Sequence, residues 1–204
     1  MQLPVQRSLA RYYTYDNVDD LESAADLIIF GKPQASLEDS QPISIPKSEQ
    51  AKKDPVVNES VVVRDEQDGS MIDTYTITLV KVQKVLKGTF EEKEIRVLQP
   101  AAVVQELNQP PFISMVSDYT PLRKNTKYLL FLKEVDTANL PNLAGAYSIL
   151  SINQGKFNFD KADTEETDLE DENEQYRQLK LKVKKRYESR VNATMMDPEN
   201  WTEE

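Results

Sequence analysis

The chain contains no His and no Cys, so any acid–base chemistry it performs rests on carboxylates, amines and tyrosines. Ser-His-Asp and Cys-His catalysis are excluded within the chain. Disulfides, thiolate-bound zinc and imidazole metal ligands are excluded as well. With 35 Asp and Glu residues, a carboxylate pair could in principle support glycosidic hydrolysis. In so acidic a chain some pair falls close by chance, and no aromatic-rich cleft signature surrounds one. The densest acidic run, DTEETDLEDENE from Asp163 to Glu174, has no Gly and lacks the alternating carboxylates of a calcium loop. Walker, GxGxxG and GxSxG motifs do not occur. The sequence assigns no catalytic residue, no cofactor and no metal ligand, and the chain reads as a protein that is not an enzyme.

Tyrosine is the other candidate chemistry. Tyr12, Tyr13, Tyr15 and Tyr119 form the candidate interaction surface, with Tyr128 a further residue that could line a sugar or peptide groove. A core or barrel-rim position is the commoner role for each, because a tyrosine buries a large ring and keeps one polar end. Asn58, Asn192 and Asn200 match the short glycosylation acceptor pattern.

Charge narrows the partners. A net charge of −10 repels phosphate backbones, so nucleic acid is not expected. The same charge opposes adhesion to anionic lipid. No apolar run approaches the roughly 20 residues of a membrane-spanning helix. The first residues, MQLPVQRSLARYY, lack the continuous apolar segment of a signal peptide. The expectation is a cytoplasmic protein if Met1 is the native start, or an exported one whose signal lies upstream of this sequence.

The elements that position these residues read as mainly β. Asp16 or Asn17 can cap a short helix, VDDLESAA, with Val18, Leu21 and Ala25 facing inward. DLIIFGK (26–32) reads as a buried strand, followed by an insertion loop over 34–59 that is polar and carries Pro42, Pro46 and Pro55. SVVVR (60–64) pairs with the start of the longest β-like run, Ile72–Gly88, through a turn at Asp68-Gly69. In that run the apolar set moves from odd positions (Tyr75, Ile77, Leu79) to even ones (Val80, Val82, Leu86), which predicts a bend at Leu79–Val80. EIRVLQ (94–99) is the next strand. Pro100 with AAVVQEL predicts two helical turns. The stretch from Gln109 to Asn125, with its three prolines, predicts irregular backbone. YLLFLK (128–133) predicts a strand buried on both faces. AYSILSI (146–152) and KFNF (156–159) predict a hairpin across the turn NQG.

The C-terminal part is sharply divided by charge. Asp160–Gln175 holds nine acids against Lys161, and Tyr176–Arg190 holds seven Lys or Arg against Glu188. Leu169, Tyr176, Leu179, Val183 and Tyr187 fall on one helical stripe. Acids toward the start and bases toward the end complement the helix dipole. This predicts a helix over 165–190 packed on the barrel, followed by an acidic tail, 191–204, rather than a calcium or nucleic-acid site.

The ordered set DLIIFGK, KVQKVLKG, EIRVLQ, YTPLRKNTKYLLFLKE and AYSILSINQGKF resembles small exported β-barrel (lipo)proteins of unknown function from Gram-positive bacteria. Asp26, Gly31, Lys87, Gly88, Tyr119, Pro121, Leu122 and Tyr128–Leu132 carry the likeness. The resemblance implies an OB-like fold similar to netrin and metalloproteinase-inhibitor-type domains. The inhibitors of that group act through an N-terminal Cys, which is absent here, so that activity is not carried over. It also implies an extracellular or cell-surface location with a lipid anchor upstream.

These readings combine into one expectation. The fold class is mainly β: an OB-like closed or partly open β-barrel over 16–159 with short helices and a charged C-terminal helix, all in one domain. The expected function is a non-enzymatic cell-surface binding or structural module, with a protein or cell-wall glycan as partner. The binding surface is expected on a barrel face or the 100–125 region. The alternatives are a carboxylate-dependent glycan hydrolase and an OB-type oligonucleotide-binding protein, the latter disfavoured by the net charge of −10.

Overall fold

The computed structural model describes residues 3–8, 10, 12–40, 42–46, 62–64, 71–105, 110–136 and 143–195. In chain order the elements are β1 (Val5–Ser8), α1 (Val18–Ala24), β2 (Leu27–Pro33), a 3-10 turn at Leu37–Asp39, β3 (Pro42–Pro46), β4 (Val62–Arg64) and β5 (Met71–Lys87). β6 (Glu94–Gln99), β7 (Ala101–Val104), β8 (Phe112–Val116), β9 (Tyr128–Glu134), β10 (Ala146–Ile149) and β11 (Lys156–Asn158) follow, then α2 (Thr164–Glu172) and α3 (Glu174–Met195).

Five strands close a barrel. β2 lies antiparallel to β5, β5 to β6 and β9 to β2, while β10 joins β6 in parallel and β9 antiparallel. Counted in chain order, the neighbours run first, second, third, fifth, fourth and back to first. This Greek-key closure with one parallel seam is the expected OB-like barrel. Closing the sheet removes the unpaired edges that an open sheet would expose.

The faces of β2 and β9 explain why DLIIFGK and YLLFLK are apolar throughout. Leu27, Ile29, Tyr128, Leu130 and Leu132 fill the barrel with Val80, Ile95, Val97 and Ile149. The opposite faces, Ile28, Phe30, Leu129 and Phe131, lie beneath Leu21 of α1 and Leu179, Val183, Tyr187 and Val191 of α3. Each such side chain contributes about 1.5–3 kcal/mol when withdrawn from water. Asn17 caps α1 by accepting from the Asp20 N–H, as the sequence predicts.

The long strand bends elsewhere than expected. β5 keeps unbroken register with β6 from Thr76 to Lys81, straight through Leu79–Val80. The irregularities lie against β2, where Gln83 and Leu86 are skipped in the pairing. Val80 and Val82 belong to the barrel interior, and beyond Gln83 the inward residue becomes Val85. The odd-face pattern of Tyr75 and Ile77 has another cause: they join a separate cluster with Leu98, Leu143 and Ala146 outside the barrel.

Three further expectations are corrected. The first residues of AAVVQEL form strand, not helix: Ala101–Val104 is β7, antiparallel to β8, and 106–107 lie outside the described residues. Pro100 breaks the ladder of β6, for lack of an N–H, and turns the chain into a second sheet, where its carbonyl accepts from Val116 at 3.0 Å. The prolines of 109–125 bound a strand instead of preventing one, since Phe112–Val116 contains none. β1, near the start of the chain, pairs with β8 in parallel, giving the sheet β1-β8-β7. Within the 34–59 insertion, Leu37–Asp39 and β3 are regular, and β3 lies along β5; 47–61 fall outside the described residues, as does the Asp68-Gly69 turn. β4 pairs with the start of β5 as expected.

The hairpin of β10 and β11 is also absent. Both strands lie on β9, β10 along Leu132–Glu134 and β11 along Tyr128–Leu130. Residues 150–155 are an excursion from one strand line, with Ser151 (φ 47°) and Ile152 (φ 58°) in the left-handed region. The excursion is pinched at Gly155, where a Cβ would stand 2.7 Å from both the Leu150 nitrogen and its carbonyl oxygen.

The C-terminal helix is two helices. The predicted stripe of Leu169, Tyr176, Leu179, Val183 and Tyr187 is buried. Asn173, with φ −124° and ψ 96°, interrupts it, and its side chain accepts from the Tyr176 N–H at 3.0 Å to start α3. The basic half is engaged within the chain: Arg186 pairs with Asp19 and Glu22, and Lys182 donates to the Asp16 carbonyl. α3 runs to Met195, so Asn192 of the acceptor pattern lies inside a helix. Asn58, Asn200 and the tail from 196 lie outside the described residues.

Candidate functional groove

The excursion at 150–155 sets up the site. It carries polar groups out of the barrel to hold the N-terminal segment. Gln154 accepts from the Tyr15 N–H at 2.6 Å and donates to the Tyr15 carbonyl at 3.2 Å. The Ser151 hydroxyl donates to the Tyr13 carbonyl. Asn153 donates to the Asp118 carbonyl at 2.8 Å and accepts from the Thr120 N–H at 3.0 Å. Residues 12–15 and 118–120 are thereby fixed on one end of the barrel.

Between them and α2 lies a groove of about 740 Å³. Arg7, Ser8, Ala10 and Tyr12 form one wall, Ser117, Asp118 and Thr120 the base, and Glu165, Asp168, Leu169 and Glu172 of α2 the other wall.

Beneath the groove is a buried ionic network. The Lys156 ammonium donates to the Thr120 carbonyl at 2.8 Å and hydroxyl at 2.5 Å, and stands 3.5 Å from Asp163 Oδ2. The rings of Tyr119 and Tyr128 lie 5.8 and 5.5 Å from it. Asp163 accepts from the Tyr128 hydroxyl at 2.7 Å and from the Glu166 N–H at 3.2 Å, so it also caps α2. Arg123 Nε approaches its other oxygen at 3.4 Å. Glu166 accepts from Lys180 at 2.5 Å, from Tyr176 at 2.8 Å and, through both oxygens, from the Asn158 N–H at 2.9 Å. Two acids and two amines share this interior, and such charges are tolerated only when paired and fully hydrogen-bonded. Asp163 and Glu166, the acids buried among the described residues, sit one turn apart on one helix, each against an amine.

The candidate tyrosines divide. Tyr12 is 37% exposed in the groove wall and donates to Asp118 at 3.0 Å. Partial burial and the Asp118 carboxylate push its hydroxyl up to about 12. Tyr13, 71% exposed, does not line the groove; its ring lies edge-on to Tyr15, the centroids 4.9 Å apart. Tyr15 is half-buried against the helix cluster. Tyr119 does not belong to the surface: it is fully buried and donates to Gln99 at 2.8 Å. Tyr128 is likewise buried. In both, burial and the Asp163 charge raise the hydroxyl pKa.

Sequence reasoning passes over Arg7, Asp118 and the network. One signal was available: Asp163-x-x-Glu166 has the spacing of a capping box. Its first half forms, and the Glu reaches the Asn158 N–H instead of the cap residue. Lys156 gives no such signal, because a lysine beside a turn ordinarily reads as solvent-facing. Among the described residues no group of three or more Asp or Glu is placed to hold a metal ion. Among the described residues no helix is long and apolar enough to cross a membrane.

No protein-family model, no curated protein and no solved structure matches the chain.

Proposed function

We propose that this chain is a non-enzymatic binding module that holds its ligand, a protein or a cell-wall glycan, in the groove between β1 and α2. The observation that carries the reading is the union of an open groove with a floor that cannot easily deform. The floor's amines and acids are engaged with one another, which suits them to holding shape rather than moving protons. Exposed Tyr12 supplies to the groove an amphipathic ring of the kind common in binding surfaces. A cell-surface location, with a lipid anchor upstream, rests on the resemblance of the barrel strands alone.

A carboxylate-dependent glycan hydrolase is the second reading, because Asp118 lies in the same groove as Glu165, Asp168 and Glu172. An oligonucleotide ligand is opposed by those same carboxylates. One experiment separates the readings: incubation with purified cell-wall glycan, measuring retention and reducing-end release. Retention that Tyr12→Ala weakens, without release, supports a binding module. Release abolished by Asp118→Asn overturns it in favour of hydrolysis. A binding module whose ligand is a protein gives neither retention nor release.

A further inference from the structure

The groove has a second property, carried by the backbone of its first wall. β1 pairs with β8 on one side, and among the described residues no strand pairs with its other side. The Pro4 and Ser8 carbonyls accept from Ile113 at 2.8 Å and Ser117 at 2.7 Å, so these residues direct their main chain toward β8. Main-chain groups alternate along a strand, so those of Val5 and Arg7 point the other way, outward. The Arg7 side chain does not shield them, for its guanidinium is turned back onto the Ser117 carbonyl at 2.6 Å and the Met115 sulfur at 3.3 Å. An outward row of N–H and C=O groups is a template for another strand.

Across the groove the wall is acidic. Four carboxylates line the groove, Glu165, Asp168 and Glu172 on α2 and Asp118 at the base, against one guanidinium, that of Arg7. Glu165 is joined to Arg123 at 2.9 Å, and Asp168 and Glu172 form no ion pair among the described residues. We propose that the occupant is an extended, basic peptide segment that adds to β1 as a strand, with Lys or Arg side chains at alternate positions reaching the carboxylates of α2. Main-chain bonds to Val5 and Arg7 hold the segment, and charge selects it; strand addition divides affinity and specificity in this way. The inference rests on the groove's being a binding site and adds the class of partner.

The probe is a synthetic six-residue peptide alternating Val with Lys, titrated into the full chain, with amide hydrogen exchange and chemical shifts recorded. The expected result is slowed exchange at the Val5 and Arg7 amides and affinity about tenfold weaker when Asp168→Asn and Glu172→Gln are combined. The same peptide N-methylated on alternate residues keeps its charge but cannot pair, and is expected not to bind. Val5→Pro removes an outward N–H without touching the β8 ladder, and is expected to weaken binding while leaving the fold intact. Equal binding of the N-methylated peptide, or binding without protection at Val5 and Arg7, overturns strand addition. Cell-wall glycan fragments titrated in parallel keep the two readings distinct. Groove shifts with glycan and none with peptide overturn the peptide inference and leave the binding module standing. Shifts with neither overturn the peptide inference and the glycan form of the binding module together.

Discussion

The ammonium of Lys156 lies 3.5 Å from Oδ2 of Asp163, with both side chains fully buried. The contact joins the last strand laid on the barrel, β11, to the first turn of α2. Because Lys156 also donates to Thr120, the contact ties α2 to the base of the groove.

Lys156→Met leaves Asp163 without its buried amine, and the cost of breaking such a pair from one side is about 3–5 kcal/mol. Urea unfolding is the measurement. The double variant Lys156→Met with Asp163→Asn is expected to recover part of that loss, because no charge remains uncompensated. A loss below about 1 kcal/mol for the single variant would contradict the network's structural role.

Alkaline stability follows from the buried tyrosines. Burial, with the nearby Asp163 and Glu166 charges, raises the hydroxyl pKa of Tyr119, Tyr128 and Tyr176 above the ordinary value. A group whose folded pKa is raised contributes stability that is fully present below the unfolded pKa, about 10 for Tyr. That contribution is lost as pH rises from there toward the folded value. Tyrosinate absorbance is expected to show a late cooperative step, as these buried tyrosines ionise, coincident with loss of structure. Smooth independent titration of every tyrosine, with the fold retained, would contradict this.

Gly155→Ala places a Cβ 2.7 Å from the main chain of Leu150, where no flexible side chain can yield. Destabilisation beyond the roughly 1 kcal/mol of an ordinary glycine replacement is expected in urea unfolding, together with loosening of the Tyr13–Tyr15 strap that the excursion holds.

Asn173→Ala removes the cap at the start of α3, where the Asn173 side chain accepts from the Tyr176 N–H. A stability loss of about 1 kcal/mol is expected by thermal or urea unfolding. If the two helices fused into one instead, the variant would be as stable as the parent.

Much of the barrel was legible because period and burial agree. Leu27–Phe30 and Tyr128–Leu132 are apolar on both faces since one face fills the barrel and the other carries α1 and α3. The α3 stripe was legible for the same reason. The second sheet was not: Ala101 and Ala102 favour helix by local propensity, and only their burial against β8 overrides it. The bend of β5 was misplaced because two different apolar clusters, on opposite faces, imitate a single change of face. The surface tyrosines divided because residue type does not say which ring faces inward, and Tyr119 does. The groove's acidic wall was visible only as a charge run, since nothing in the sequence brings Asp118 to α2.

The measurement that tests the central claim most directly is amide chemical-shift mapping of the isotopically labelled chain during titration with the basic peptide and with cell-wall glycan fragments. The account expects saturable shifts confined to β1, residues 117–120 and the groove face of α2, with the Lys156 and Glu166 environments unchanged. Saturable binding whose shifts lie on another barrel face, leaving these residues untouched, would contradict it.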